Sequence, residues 1–156
     1  MNHEKFLSQT IVLAAKNVEE NGGPFGAIVV NQHGEIIGSG SNKVTQNNDP
    51  TAHAEIQAIR EACEKLNTFQ LSDCILYTSC EPCPMCLGAI YWSRVEKVYY
   101  AADQKLAAEG GFDDAFIYEE IAKKHEDRKI PFYSLSLTDK NLPFEKWAKN
   151  ELKLEY

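Results

Sequence analysis

Along residues 3–20 (HEKFLSQTIVLAAKNVEE) the apolar positions Phe6, Leu7, Ile11, Leu13, Ala14 and Val18 fall mostly on one stripe. That is the pattern of an amphipathic helix. The cluster Asn21-Gly22-Gly23-Pro24 ends it, because these residues favour turns over helix. PFGAIVVN reads as a buried strand, and Gln32-His33-Gly34 as a hairpin turn into a second strand, EIIGSG. A polar stretch, SNKVTQNNDPT, leads to a second helix over 52–66, with Pro50 placed where a helix can begin but not continue. DCILYTS is a short strand that runs directly into CEPCPMCLGAIYWSR. There Pro84 takes the first helical position and residues 86–92 form the helix body. Residues 95–101 (VEKVYYA) are another strand. Strands alternating with helices predict an α/β layered domain with helices on both faces of the sheet. Beyond Asp103 the pattern weakens to a helix in DDAFIYEEIAKKHED, an extended IPFYSLSL, and a short helix plus tail in LPFEKWAKNELKLEY. The tail keeps Phe144, Trp147, Leu152, Leu154 and Tyr156, which need a surface to dock on, in their own chain or in a partner's.

A chain of 156 residues is the size of a single domain, so one core and no linker are expected. Hydrophobic residues at 44% and charged residues at 25% are globular proportions. Sixteen Lys and Arg against 23 Asp and Glu give a net charge of −7. That argues against non-specific nucleic-acid binding, which depends on basic side chains neutralising phosphates. No apolar run approaches the roughly 20 residues of a membrane span, and the start, MNHEKFLSQT, has no signal-peptide core. A soluble cytoplasmic protein with no membrane partner is expected. The cysteines are Cys63, Cys74, Cys80, Cys83 and Cys86. An odd number in an intracellular chain fits metal binding or catalysis better than a disulfide framework.

Cys83 and Cys86 are three apart, with prolines at 82 and 84. At a helix start this spacing puts both sulfurs on one side of the first turn. The unpaired backbone N–H groups there favour thiolates. Of the histidines, His3 is terminal, His33 lies in the predicted turn and His125 in a charged stretch, whereas His53 starts the second helix in TAHAEI. His53, Cys83 and Cys86 make a three-ligand set, which leaves the open fourth position of a catalytic zinc site. A closed site that uses Cys80 as a fourth ligand remains a second reading. An iron–sulfur run would need a further cysteine at position 90, which is Ile90. Cys63 and Cys74 read as small buried side chains. Glu55 bears on the choice between structural and catalytic zinc. Residues two apart on a helix lie about 200° apart, so His53 and Glu55 share a site only if it lies at the helix end. Alone, HAE would read as a glutamate complementing the helix dipole. With PCxxC following some 28 residues later, it reads as a catalytic carboxylate beside a metal.

His53-Ala54-Glu55 followed by Pro82-Cys83-Pro84-Met85-Cys86 resembles the H-x-E…P-C-x-x-C signature of the zinc nucleobase and nucleoside deaminases. Within this cytidine/deoxycytidylate deaminase superfamily the chain resembles the bacterial-type guanine deaminases over nearly its whole length. GGPFGAIVV, NDPTAHAEIQAIR and LYTSCEPCPMCLGAIYW carry the likeness and are shared with tRNA adenosine deaminases. EGGFDDAFIYEEI and the aromatic tail are not, and they favour guanine. The resemblance implies a three-layer α-β-α, cytidine-deaminase-like fold with a central five-stranded mixed sheet, IPFYSLSL being the candidate fifth strand. It also implies one deaminase domain over 1–156, a bound Zn2+, and hydrolysis of guanine to xanthine and ammonia. Glu55 is then the proton carrier, and Asp114 a purine acceptor that also shuttles protons. Asn42 and the Ala54 N–H are further base contacts. Phe25, Trp92 and Phe112 are candidate ring contacts that serve equally well as core. Tyr156 is a candidate to close the pocket, in a homodimer that exchanges tails from about residue 140 to 156. Asp113-Asp114 has a plainer alternative as a cap of the following helix. Rival readings are a tRNA adenosine deaminase, a cytosine deaminase and a non-catalytic, zinc-stapled interaction module.

Overall fold

The computed structural model describes residues 1–156 and resolves into two compact units, Met1–Ala115 and Phe116–Tyr156. The first holds helix α1 (His3–Glu19), strands β1 (Gly26–Asn31) and β2 (Ile36–Ser41), a short α2 (Val44–Asn47) and α3 (Ala54–Leu66). It continues through β3 (Cys74–Cys80), α4 (Pro84–Ser93), β4 (Lys97–Ala102) and α5 (Gln104–Glu109). The elements expected from the periodicity up to residue 102 are present within a few residues of their predicted limits. The polar stretch before α3 holds α2, and the segment after β4 holds α5; sequence pattern suggested neither.

The strands form one mixed sheet in the order β2-β1-β3-β4. β1 pairs antiparallel with both β2 and β3, whereas β3 and β4 are parallel and joined through α4. Side chains alternate across the sheet, which divides the apolar residues of β1 and β3 between two faces. Ala27, Val29 and Leu76 pack with Ala54, Ala58 and Ala62 of α3 and Ile90 of α4. Ile28, Val30, Ile75 and Tyr77 pack with Phe6, Leu7 and Leu13 of α1. The result is three layers, with the sheet covered on both sides.

α3 lies unusually close to β2. A Cβ on Gly38 would overlap the Ala58 carbonyl oxygen, and one on Gly40 would overlap the Ala54 carbonyl oxygen. Glycine in the strand and alanine at every fourth position of the helix together permit this approach. The contact at Gly40 seats the first turn of α3, and with it His53 and Glu55.

The expected fifth strand does not form. Residues 130–137 join no ladder and have irregular backbone. Pro131 supplies no N–H donor and no strand pairs with them. The sheet has four strands. The second unit carries most of α6 (Ala115–Ala122), a 3-10 turn (His125–Asp127) and α7 (Leu142–Lys149). Within it the Arg128 Nε donates to the Glu120 carbonyl at 3.0 Å, and the guanidinium lies over the Phe132 ring at 5.2 Å. No residue of 116–156 is buried. No helix of the chain is long and apolar enough to cross a membrane.

The close approach at Gly40 generates a stability prediction. Gly40→Ala forces a methyl into backbone that cannot swing aside, so it should cost about 1–3 kcal/mol. That cost should appear as a lower urea midpoint at unchanged slope. An unaltered midpoint would mean that the seat of α3 is looser than the packing indicates.

Candidate metal centre and pocket

Two helices begin at the site, and each carries a candidate ligand at its N-cap. His53 caps α3 with extended backbone (φ −70°, ψ 158°), and Cys83 caps α4 (φ −66°, ψ 168°) with Pro84 in the first turn. The entry to α3 is held by Asp49, whose carboxylate accepts from the Thr51 N–H at 2.8 Å, and by the Lys43 N–H donating to the Ala52 carbonyl at 2.9 Å. The Cys83 sulfur accepts from the Cys86 N–H at 3.5 Å, which points both sulfurs of the first turn to the same side. The His53 Nδ1 lies 3.4 Å from the Cys83 Sγ and 3.5 Å from the Cys86 Sγ. All three ligand atoms lie within 4.8 Å of one another.

These separations fit zinc. Bonds of about 2.0 Å to nitrogen and 2.3 Å to sulfur, opened to a tetrahedral angle, span about 3.5 Å. The cluster contains an imidazole and two sulfurs and no other side chain, so one tetrahedral position is not taken by protein. Cys80, the candidate fourth ligand, is not in it. Its Sγ points to the Asp103 carbonyl at 3.8 Å, and burial pushes its thiol up to about 11. The closed four-ligand reading therefore fails on geometry.

Glu55 is the second residue of α3 and is 6% exposed. Because the site lies at the helix end, it shares that end with His53. Its Oε2 accepts from the Cys86 thiol at 3.4 Å and its Oε1 from the Thr78 hydroxyl at 3.3 Å. Burial raises the carboxyl above its ordinary range. The sulfurs divide in the opposite sense. The neighbouring Cys86 side chain, with His53 and the Cys86 backbone N–H assisting against burial, holds Cys83 down at about 4. The Cys83 sulfur beside it and its burial push Cys86 up. Donating to the Cys83 sulfur raises His53 above its ordinary value. Cys83 is thus a ready thiolate, and zinc would take the proton's place on Cys86.

A cavity of about 500 Å³ opens onto this cluster and is lined by His53, Glu55, Cys83, Asn42 and Asp114 among others. That volume suits a small-molecule ligand. Phe25 and Phe112 also line it and meet edge to face at 4.9 Å between centroids. Burial, with Cys83 adding, raises the Asp114 carboxyl. Asp113, not Asp114, accepts from the Ala115 N–H at 3.0 Å, so the capping task falls to the neighbour. Ala54 is fully buried at the first position of α3, where the helix itself leaves N–H groups without partners. Trp92 is not brought to the cavity. It lies about 120° round α4 from Cys86 and is 63% exposed. Tyr156 belongs to the second unit. Two residues escaped sequence reasoning: Thr78, a hydroxyl in a fully buried strand, and Asn17, a polar residue on the buried face of α1.

The model of the cytidine and deoxycytidylate deaminase zinc-binding region matches residues 1–102. The chain belongs to this family. It is 58% identical to the guanine deaminase of Bacillus subtilis (strain 168) over the full length of both. It also matches the X-ray structure of the Bacillus subtilis guanine deaminase at a TM-score of 0.97 and 58% identity, covering 100% of this chain and 99% of that one. A tRNA-specific adenosine deaminase of Aquifex aeolicus is 47% identical over 67% of this chain and 69% of its own. The structure of NE0047 in complex with 2,6-diaminopurine matches at a TM-score of 0.70 and 38% identity, over 72% of this chain and 63% of that one. As a member of the deaminase family the chain uses zinc, and His53, Cys83 and Cys86 are the cluster that fits it.

The geometry predicts metal retention residue by residue. Cys80→Ser should keep stoichiometric zinc, whereas Cys83→Ser should lose most of it, as measured by elemental analysis of the purified proteins. X-ray absorption should find two sulfurs, one nitrogen and a light-atom neighbour. A third sulfur would overturn the open site.

Proposed function

We propose that this chain is a guanine aminohydrolase, converting guanine and water to xanthine and ammonia. The observation that carries the proposal is a buried carboxylate beside a three-ligand metal cluster, at the floor of a cavity of purine-compatible size. The full-length identity to a guanine deaminase supports that substrate over others. The tRNA-specific adenosine deaminase of Aquifex aeolicus is 47% identical over 67% of the chain, against 58% over all of it for the guanine deaminase, and the net charge of −7 does not suit an RNA grip.

Zinc held by His53, Cys83 and Cys86 would supply water activation, making hydroxide available near neutral pH. The remaining work falls to side chains of the chain. Glu55 takes a proton from the attacking water, passes it to ring nitrogen N3 as carbon 2 is attacked, and helps deliver a proton to the departing amine. The C–N bond breaks, ammonia leaves and xanthine remains. Its burial suits Glu55 to carrying a proton in both directions. Asn42 and the Ala54 N–H hold the polar edge of the ring, and Asp114 accepts from it and shuttles protons. Phe25 and Phe112 offer apolar faces to the ring.

We read 1–156 as one zinc-dependent deaminase domain that works as a homodimer, with the tail from about 140 to 156 exchanged and Tyr156 closing the partner's pocket. The support is the second unit itself: it buries none of its residues, although Phe144, Leu152 and Leu154 are apolar. So little burial does not sustain a fold alone. The chain's free thiols favour the cytoplasm as its compartment.

Glu55→Gln tests the chemistry. It should retain zinc while turnover of guanine falls by about 10²–10⁴-fold, followed as xanthine formation. A zinc-loaded Glu55→Gln protein of normal activity would remove Glu55 from the reaction. Deleting the last few residues tests the tail: activity should fall with loss of Tyr156. Unchanged kinetics and an unchanged sedimentation profile would exclude tail exchange.

A further inference from the structure

Asn17 sits on the face of α1 that carries Phe6, Thr10 and Ala14 into the core, and it is 2% exposed. A buried carboxamide is costly unless its hydrogen bonds are made. Here they are made in an unusual direction. The Nδ2 donates to two backbone carbonyls, Gly23 and Asn42, each at 2.8 Å. The Oδ1 accepts from the Lys43 Nζ at 3.2 Å, and the Asn17 backbone carbonyl accepts from the Gly22 N–H at 2.7 Å. Only the amine end of the amide can satisfy two carbonyls, so the side-chain orientation is determined by its partners.

The two carbonyls belong to segments far apart in sequence, and both segments line the cavity above the metal cluster. One is the loop from Asn21 to Phe25. The other carries Asn42, whose Oδ1 accepts from the Val44 N–H at 3.2 Å, so that its amine end is the one that remains to donate to a purine. The contacts between the segments are close. A Cβ on Gly22 would overlap the Asn17 amide, and one on Gly23 would stand 3.0 Å from the Asn42 side chain. The Gly22-Gly23 pair thus lets the loop close down on Asn17 and Asn42.

We propose that Asn17 is a positioning residue for purine binding. By holding the Gly23 and Asn42 carbonyls on one amide, it sets the gap between the loop wall and the Asn42 side chain that meets the ring. The proposal rests on the reading that Asn42 contacts the purine. Asn17 touches neither the ring nor the metal ligands, so its effect belongs in substrate binding and not in the chemical step.

The test uses the zinc-loaded full chain. Asn17→Asp keeps the shape and replaces the donor with an oxygen facing two carbonyls. It should raise KM for guanine about tenfold or more, the effect expected when a buried polar network loses its donor. Its kcat should stay within about threefold and its zinc content should be normal. A purely structural role would lower thermal stability without this split. An unchanged KM, or a fall confined to kcat, overturns the proposal. Gly22→Ala is the second variant should Asn17→Asp not fold, since it presses a methyl against the Asn17 amide while leaving the amide in place. It too should raise KM, and an unchanged KM there overturns the proposal independently. Asn42→Ala separates this from the underlying reading. If Asn42→Ala leaves KM unchanged, the Asn42 contact fails and Asn17 falls with it. If Asn42→Ala raises KM while Asn17→Asp does not, only the Asn17 role is wrong. In the Asn42→Ala background, Asn17→Asp should add less than about a twofold change.

Discussion

The chemistry of this protein depends on two helix N-termini meeting at one point. N-cap positions are where the backbone turns from extended to helical, so a side chain there is aimed by the main chain and needs little help from its own rotamers. His53 and Cys83 both occupy such positions, and Cys86 lies one turn further along the second helix. Where the ligands meet is therefore decided by how α3 and α4 sit on the sheet. That in turn follows from glycines in β2 lying against the backbone of α3, and from the parallel pair β3 and β4 joined through α4.

Helix N-termini bring electrostatics as well as direction. Unpaired N–H groups favour thiolates and oxyanions, which lowers the cost of gathering negative ligands around a cation. The carboxylate of Glu55 works against its surroundings, being buried beside a sulfur-rich cluster. Thr78 supplies the one hydroxyl donor it has from the strand beneath. A carboxyl raised in this way is suited to carrying protons rather than to pairing with a cation. The rest of the cavity is organised differently, by amides: Asn42 lines it, and the Asn17 side chain holds the Asn42 carbonyl from behind.

Most of this architecture is legible in local sequence patterns. The helices, the strands and the ligand trio follow from periodicity, caps and spacing, because each depends on residues close together in the chain. Residues 130–137 show the limit. Their β-favouring residues are half of what a strand needs, the other half being a neighbour to pair with, and that neighbour is missing. Trp92 shows another limit: its position round α4 relative to Cys86 decides its exposure, and residue type alone does not reveal it. Asn17 and Thr78 escape the sequence for a third reason. Their partners are backbone carbonyls and a carboxylate 6 to 25 residues away, and nothing in a sequence marks which carbonyls converge. The available hint is a polar residue within an apolar stripe, and it points to a buried network without saying what the network holds.

The most direct trial of the central claim is an ammonia-release assay on the purified protein with guanine, adenine, cytosine, cytidine and guanosine, run with and without a zinc chelator. Guanine should be deaminated to xanthine far faster than adenine, cytosine or cytidine, chelation should abolish the activity, and added zinc should restore it. Full activity in metal-free protein, or turnover of the other bases with none of guanine, would contradict that claim.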